Sequence, residues 1–206
     1  EMKKLGATIV DPADIETVEQ FAGSSELEVL LYEFKAGLNA YLAALPNARV
    51  RTLADVIAFN EKNRDREMPF FAQELFERAQ KKGPLTEKDY LKALGKDIRI
   101  SRKDGIDKTM DKHRLDALVA PTSGPATLID LVNGDYGVNG SSTIPAVAGY
   151  PDITVPAGWE RGLPVGLSFF GRAWSEGKLL AIAYAFEQAT RHRRPPKFLP
   201  TAELPS

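Results

Sequence analysis

Residues 151–170 read PDITVPAGWERGLPVGLSFF, and they contain two short apolar segments separated by a turn signal. Residues 152–155 and 165–170 are rich in β-branched and aromatic side chains, which is typical of strands. Between them, Glu160, Arg161 and Gly162 have the polar, glycine-containing character of a turn. The sequence therefore predicts a β-hairpin in the last third of the chain.

Two further segments indicate strands. Residues 117–120, ALVA, form a short apolar run that Pro121 ends, as expected of a buried strand. Residues 7–10, ATIV, are predicted to form another short buried strand. All of these strands need a common sheet, because an isolated strand cannot satisfy its backbone hydrogen bonds.

Helical periodicity dominates the segment before residue 114. Apolar residues recur at steps of three and four over residues 24–45, and the pair Ser25 and Glu28 is predicted to form a capping box there. Further helices are predicted to start at Thr52 with Asp55, at Pro69, at Thr86 (running to about His113) and at Ser175.

These elements predict an α/β fold in which a mixed β-sheet is covered by helices. We expect one domain over residues 1–206, mainly helical in 1–114 and strand-rich with a closing helix in 115–206. The first six residues resemble the last turn of a helix, with Gly6 just past its end. Because a domain rarely begins on the tail of a helix, this start suggests a cut chain.

Composition narrows the function classes. The chain has 206 residues with 43% hydrophobic and 27% charged residues, which is typical of a globular protein. The net charge of -1 favours neither nucleic acid nor acidic lipid as a partner, and no apolar run has the ~18 residues of a membrane span. With no cysteine and no signal peptide, a cytoplasmic protein is expected.

Familiar catalytic and metal-binding patterns are missing. The two histidines, His113 and His192, lie beside arginines at predicted helix ends, and neither has a nearby ligand at metal-binding spacing. The sequence has no Gly-x-Ser-x-Gly nucleophile motif and no phosphate-binding glycine loop. These patterns therefore favour neither a metal site nor a phosphate-binding site.

A hydroxyl-rich segment between predicted strands is the strongest candidate for a site. Hydroxyls and glycine amides near a sheet edge can line a cleft for a polar substrate, but the same residues are also common in turns. No lysine or histidine is recognisably placed to activate a serine in this segment. The candidate cleft residues are Thr122, Ser123, Ser141, Ser142 and Thr143.

A more specific pattern covers the same region. Residues 141–158 read SSTIPAVAGYPDITVPAG, residues 162–172 read GLPVGLSFFGR, and a predicted helix ends in FEQA at 186–189. Together with residues 115–122, LDALVAPT, this run resembles the closing segment of the amidase signature family.

Other motifs are most similar to the peptide-amidase branch of that family. They are DLVNGD at 130–135, GRAWSE at 171–176, FNE at 59–61 and QELF at 73–76. The resemblance covers essentially the whole chain, and residues 115–190 contribute most of it.

The resemblance implies the carboxy-terminal part of the amidase signature fold. Family members hydrolyse amides with a serine nucleophile, a second serine in a cis peptide and a lysine, and need no cofactor. All three groups belong to the part of the enzyme that precedes this segment, so no catalytic residue is assigned here. The implied partners are an amide substrate and the missing amino-terminal half, and the chain alone is expected to be inactive.

Two alternatives remain open from the sequence. The chain could be a natural non-catalytic module that binds a partner or forms homo-oligomers through exposed sheet edges. It could instead be an independent serine hydrolase that uses Ser141 or Ser142.

Overall fold

A computed structural model describes residues 1–21, 25–134 and 140–198. The chain divides into two compact units, one formed by residues 1–20 with 98–206 and the other by residues 21–97. The helices are α1 Ser25–Ala44, α2 Leu53–Lys62, α3 Arg64–Glu67, α4 Glu74–Gln80, α5 Lys88–Ser101, α6 Lys108–His113, α7 Thr143–Ala148 and α8 Glu176–Thr190. A 3₁₀ turn covers Val18–Phe21, and a π-helical segment, Arg102–Asp107, joins α5 to α6.

The sheet contains β1 Leu118–Pro121, β2 Asp152–Glu160 and β3 Leu163–Phe170 in the order β1-β3-β2. All neighbouring strands pair in the antiparallel sense. The predicted hairpin is confirmed, and Glu160 pairs with Leu163 across a two-residue turn. Arg161 and Gly162 both have positive φ, 48° and 79°, which gives the turn the twist that a tight hairpin needs.

One extra residue lies in β2. Pro156 pairs with Gly166, but the next pair is Gly158 with Val165, so Ala157 has no partner of its own. This β-bulge shifts the pairing register by one residue between the turn and the start of β2. Pro156 is tolerated here because β2 is an edge strand of the described sheet.

An apolar core lies between α8 and one face of the hairpin. Val155 and Phe169 from the strands pack with Leu179, Ala183 and Phe186 from α8. Phe169 is 2% exposed and its ring meets that of Phe186 edge-on at 5.8 Å. Burying a side chain of this size stabilises the fold by about 1.5–3 kcal/mol. The predicted closing helix is thus confirmed.

The described part of the second unit contains helices and no strand. Leu31 of α1, Leu53 of α2 and Ala79 of α4 form one buried cluster. A separate cluster joins α1 to the start of α5 through Val29, Tyr32 and Tyr90. The long helix predicted over 24–45 is confirmed as α1, although Ser24 lies outside the described residues.

Several predicted boundaries were wrong. Residues 7–10 form no strand, and the run is too exposed for a core strand, since Val10 is 39% exposed. Ser25 is the first residue of α1, not a cap that precedes it.

The starts of two later helices also differ from expectation. The helix predicted to start at Pro69 is α4, and it begins at Glu74, because the buried Gln73 side chain donates to the Ile57 carbonyl at 3.2 Å and holds the residue outside the helix. The helix predicted to start at Thr86 is α5, which begins after Glu87, whose carbonyl accepts from the Leu91 amide, and Thr86 does not cap it. Its predicted extent to His113 is confirmed, interrupted by the π segment.

The predicted start of α2 is confirmed as a capping box. The Asp55 amide donates to the Thr52 hydroxyl at 3.2 Å, and the Asp55 carboxylate accepts from the Thr52 amide at 3.0 Å. A third amide, that of Arg51, donates to the same carboxylate at 2.9 Å.

We expect Thr52→Ala to lower the free energy of unfolding of the helical unit by about 1 kcal/mol, because it leaves the Asp55 amide without its acceptor. Thr86→Ala is the matched control, since it removes the same hydroxyl at a predicted cap that α5 does not use. Urea unfolding followed by circular dichroism measures both variants. Equal effects of the two substitutions would contradict the assignment of Thr52 as the cap.

Candidate functional site

The hairpin has a polar face opposite the α8 core. Side chains alternate between the two faces of a strand, so Asp152 and Thr154 point away from Val155, which is in the core. Thr154 pairs directly with Ser168, and their side chains therefore share the polar face.

Thr122 completes this polar group from the neighbouring strand. It follows β1 directly, and its amide donates to the Gly166 carbonyl at 2.9 Å, which fixes it beside β3. Its hydroxyl oxygen lies 2.5 Å from that of Thr154 and 3.0 Å from that of Ser168. Three hydroxyl groups from three strand segments thus form one hydrogen-bonded cluster, named below the hydroxyl cluster.

Gly166 makes this close approach sterically feasible. A Cβ atom at position 166 would lie 2.7 Å from the Thr154 hydroxyl oxygen and 2.8 Å from that of Thr122. Such distances are far inside van der Waals contact, so any side chain at this position would push the two hydroxyls apart.

A carboxylate adjoins the hydroxyl cluster. Partial burial raises the pKa of the Asp152 carboxyl, while a hydrogen bond from Ser168 opposes that rise by favouring the ionised form. Ser168 is itself 1% exposed, so its hydroxyl depends on these neighbours for hydrogen bonds.

The loop before α7 comes back to Thr122. The Ser141 amide donates to the Thr122 carbonyl at 3.2 Å, and a Cβ at Gly140 would lie 3.5 Å from that of Ser123. The structure thus brings Thr122, Ser123 and Ser141 together. Thr143 is instead the first residue of α7, and Ser142 precedes it: the Ser142 carbonyl accepts from the Ala146 amide, and its side chain makes no capping bond.

Helix α7 is anchored on the π segment. The Arg102 guanidinium donates to the Ala148 carbonyl at 2.7 Å and lies over the Tyr150 ring, 5.6 Å from its centroid. The Tyr150 hydroxyl donates to Asp107 at 3.0 Å. Burial raises the pKa of Tyr150, and the hydrogen bond to Asp107 raises it further. These contacts fix the end of the loop that carries Ser141.

No serine of the loop has a base beside it among the described residues. The Ser141 hydroxyl oxygen is buried and has no hydrogen-bond partner in the part of the chain that the structure describes. His113 ends α6, and His192 follows α8, where its carbonyl accepts from the Trp159 indole at 3.0 Å. Within residues 1–21, 25–134 and 140–198, no three His, Asp or Glu side chains are grouped as metal ligands.

Asp152, Thr154 and Ser168 were not predicted to be site residues. They were interpreted only as strand residues, although their alternation with Ile153, Val155 and Phe169 already indicates a polar face. Their meeting with Thr122 could not be predicted, because it depends on the strand order.

A profile of the amidase family matches residues 1–180. The chain belongs to the amidase family. It is 41% identical over 203 residues to a probable amidase from Arabidopsis thaliana, covering 96% of this chain and 36% of that protein.

Solved peptide amidases also share its fold. A peptide amidase in complex with the competitive inhibitor chymostatin matches with a TM-score of 0.90 and 45% identity, over 96% of this chain and 40% of that one. The native peptide amidase from Stenotrophomonas maltophilia matches with a TM-score of 0.82 and 44% identity, over 89% of this chain and 37% of that one. The α/β class and the family resemblance are confirmed, and the chain spans well under half the length of these relatives.

Among the described helices of this amidase-family chain, none is both long and apolar enough to cross a membrane.

Gly166→Ala should break the contact between Thr122 and Thr154 and lower the free energy of unfolding by about 1–3 kcal/mol, because the added methyl overlaps both hydroxyls. Gly158→Ala is the matched control in the same hairpin, where a Cβ would meet only a Val165 methyl at 3.9 Å. Thermal unfolding compares the two variants. A larger loss for Gly158→Ala would contradict the close approach at Gly166.

Ser168→Ala should raise the pKa of Asp152 further, because it removes a hydrogen bond to the ionised carboxylate. The pKa of Asp130, which amide donation from Asn133 lowers, should not change. Carboxyl-carbon NMR titration measures both groups. Because the folded-state pKa of Asp152 is raised, this group favours folding below its unfolded pKa, and that contribution is lost as pH rises through the folded value. An unchanged Asp152 pKa in the variant would contradict the bond to Ser168.

Proposed function

We propose that this chain is the carboxy-terminal part of a larger amidase that hydrolyses a carboxamide to a carboxylate and ammonia. The observation that supports this most is the match to peptide amidases over nearly all of this chain but only about 40% of theirs. The C–N bond of an amide is what peptide amidases are named for cleaving, and the family resemblance adds a serine, a second serine and a lysine as the reacting groups.

In this proposal the reacting groups lie on a segment outside these 206 residues. The buried Ser141 hydroxyl has no base beside it among the described residues, so it is not poised as a nucleophile. The hydroxyl cluster, Ser123 and Ser141 then form part of the substrate cleft. A single domain over residues 1–206 and a cytoplasmic location stay predictions.

The purified chain should release no ammonia from a peptide carboxamide. A chimaera in which this chain replaces the matched segment of the Stenotrophomonas peptide amidase should recover hydrolysis, because that enzyme would contribute the missing groups. Circular dichroism establishes that both proteins are folded. Hydrolysis by the chain alone would refute the proposal, and loss of that activity in Ser141→Ala or Ser142→Ala would then identify an independent serine hydrolase.

The second candidate is a non-catalytic module that self-associates. It is favoured by the strand order, which leaves β1 and β2 as the two edges of the described sheet. Size-exclusion chromatography with light scattering tests it: a monomer across the micromolar range would exclude association through these edges.

A further inference from the structure

The loop between β1 and α7 contains an asparagine followed by a glycine, Asn133-Gly134, whose structure is described. An Asn-Gly pair is prone to spontaneous loss of the side-chain ammonia, because glycine has no Cβ that would hinder attack by its own backbone nitrogen. Asn133 is exposed, and a Cβ added at Gly134 would meet no atom within 4 Å. Nothing in the described structure therefore blocks water or hydroxide from reaching the two groups.

The reaction joins the Gly134 backbone nitrogen to Cγ of the Asn133 side chain. The backbone nitrogen loses its proton to hydroxide, its electron pair forms the new C–N bond, and the bond from Cγ to Nδ2 breaks. Nδ2 takes up a proton from water and leaves as ammonia, and the ring that remains is a succinimide. One water molecule then opens the ring to aspartate or isoaspartate, so the net change is addition of water and loss of ammonia.

Asp130 binds both reacting groups before they can meet. Its backbone carbonyl accepts from the Gly134 amide, the attacking group, at 3.1 Å. Its carboxylate oxygen Oδ2 accepts from Nδ2 of Asn133, the leaving group, at 2.8 Å. The second carboxylate oxygen, Oδ1, accepts from the backbone amides of Val132 and Asn133, both at 2.9 Å. A carboxylate only accepts hydrogen bonds, so the direction of each of these bonds is fixed.

These bonds oppose the reaction, because attack requires the Asn133 side chain to turn its Cγ toward the Gly134 nitrogen. That rotation breaks the bond from Nδ2 to Asp130, and loss of the backbone proton breaks the bond from Gly134. We propose that Asn133 is a site of spontaneous deamidation whose rate Asp130 restrains by holding the attacking and leaving groups apart. This inference does not depend on the proposed amidase activity.

The product no longer supports the turn that slowed its formation. Deamidation replaces Nδ2, a donor 2.8 Å from Asp130, with a carboxylate oxygen that repels it. The turn belongs to the loop that carries Ser123 and Ser141, so the change adds a negative charge and loosens that loop irreversibly.

The test incubates the 206-residue chain at mildly alkaline pH, which speeds loss of the backbone proton, and follows the mass increase of deamidation at position 133. A synthetic peptide with residues 127–137 gives the rate without the fold. Asn133 in the folded chain should react more slowly than in the peptide. Asp130→Ala should raise the rate in the chain about fivefold, the order of change that loss of one or two exposed hydrogen bonds gives.

Two variants make this comparison specific. Asp130→Asn keeps a side-chain oxygen for the backbone amides but loses the second acceptor, so its rate should lie between those of the parent and Asp130→Ala. Asp14→Ala is the matched control at an exposed aspartate outside the loop, and it should leave the rate unchanged. Circular dichroism verifies that each variant is folded.

A second Asn-Gly pair, Asn139-Gly140, gives an internal reference, and chymotrypsin cleaves after Tyr136 between the two pairs. The Asp130→Ala effect should be confined to position 133. An equal rise at position 139 would show that the whole loop had opened, and it would overturn the specific restraint by Asp130.

The same rate at Asn133 in Asp130→Ala and in the parent chain would overturn the inference, as would a parent rate equal to that of the peptide. If the peptide converts but Asp130→Ala gives no product at position 133, Asn133 is not a deamidation site. Asn133→Asp imitates the product and should raise the pKa of Asp130, which the bonds from Asn133 now lower. An unchanged pKa in carboxyl-carbon NMR titration would contradict the expected repulsion.

Discussion

The extra residue in β2 determines which side chains meet on the sheet. If the pairing of Glu160 with Leu163 continued without the bulge at Ala157, Val155 would lie opposite Ser168 and Thr154 opposite Phe169. An apolar side chain would then face the polar group, and a hydroxyl would face the core. With the bulge, Thr154 lies opposite Ser168 and the two faces keep their separate character. Both the core and the candidate site therefore depend on one unpaired residue.

The two faces of the hairpin differ in polarity: one is apolar and the other carries the hydroxyl cluster. The apolar face packs against α8 through Phe169 and Phe186, and burial of these rings stabilises the unit. On the other face, Ser168 is just as deeply buried, and an unsatisfied hydroxyl there would cost about 1–3 kcal/mol. The hydrogen bond to Thr122 removes that cost, so the cluster is compatible with a stable fold.

The sequence was sufficient to predict the elements that depend on residues close together in the chain. The capping box of Thr52 and Asp55, the hairpin turn and helix α8 were all predictable, because each depends on residues close together in the chain. The start of α4 was not, since it depends on a bond from Gln73 to Ile57, 16 positions away. Helix α7 was not predicted, because its segment has little periodicity. It is stabilised by a hydrogen bond from Arg102 to the Ala148 carbonyl, 46 positions away.

The candidate site was only half predictable for the same reason. Thr122 and Ser141 were identified by their hydroxyl-rich segment, but Thr154, Ser168 and Asp152 belong to strands whose register sets their neighbours.

The hydroxyl cluster consists of uncharged groups at the place where the three strand segments meet. A carboxylate in the place of Thr154 would repel Asp152, whereas a hydroxyl group carries no charge. Gly166 then becomes necessary, because hydroxyl oxygens 2.5 Å apart leave no room for a side chain between the strands. The bulge and the glycine thus act together: the first aligns the hydroxyls, and the second lets them touch.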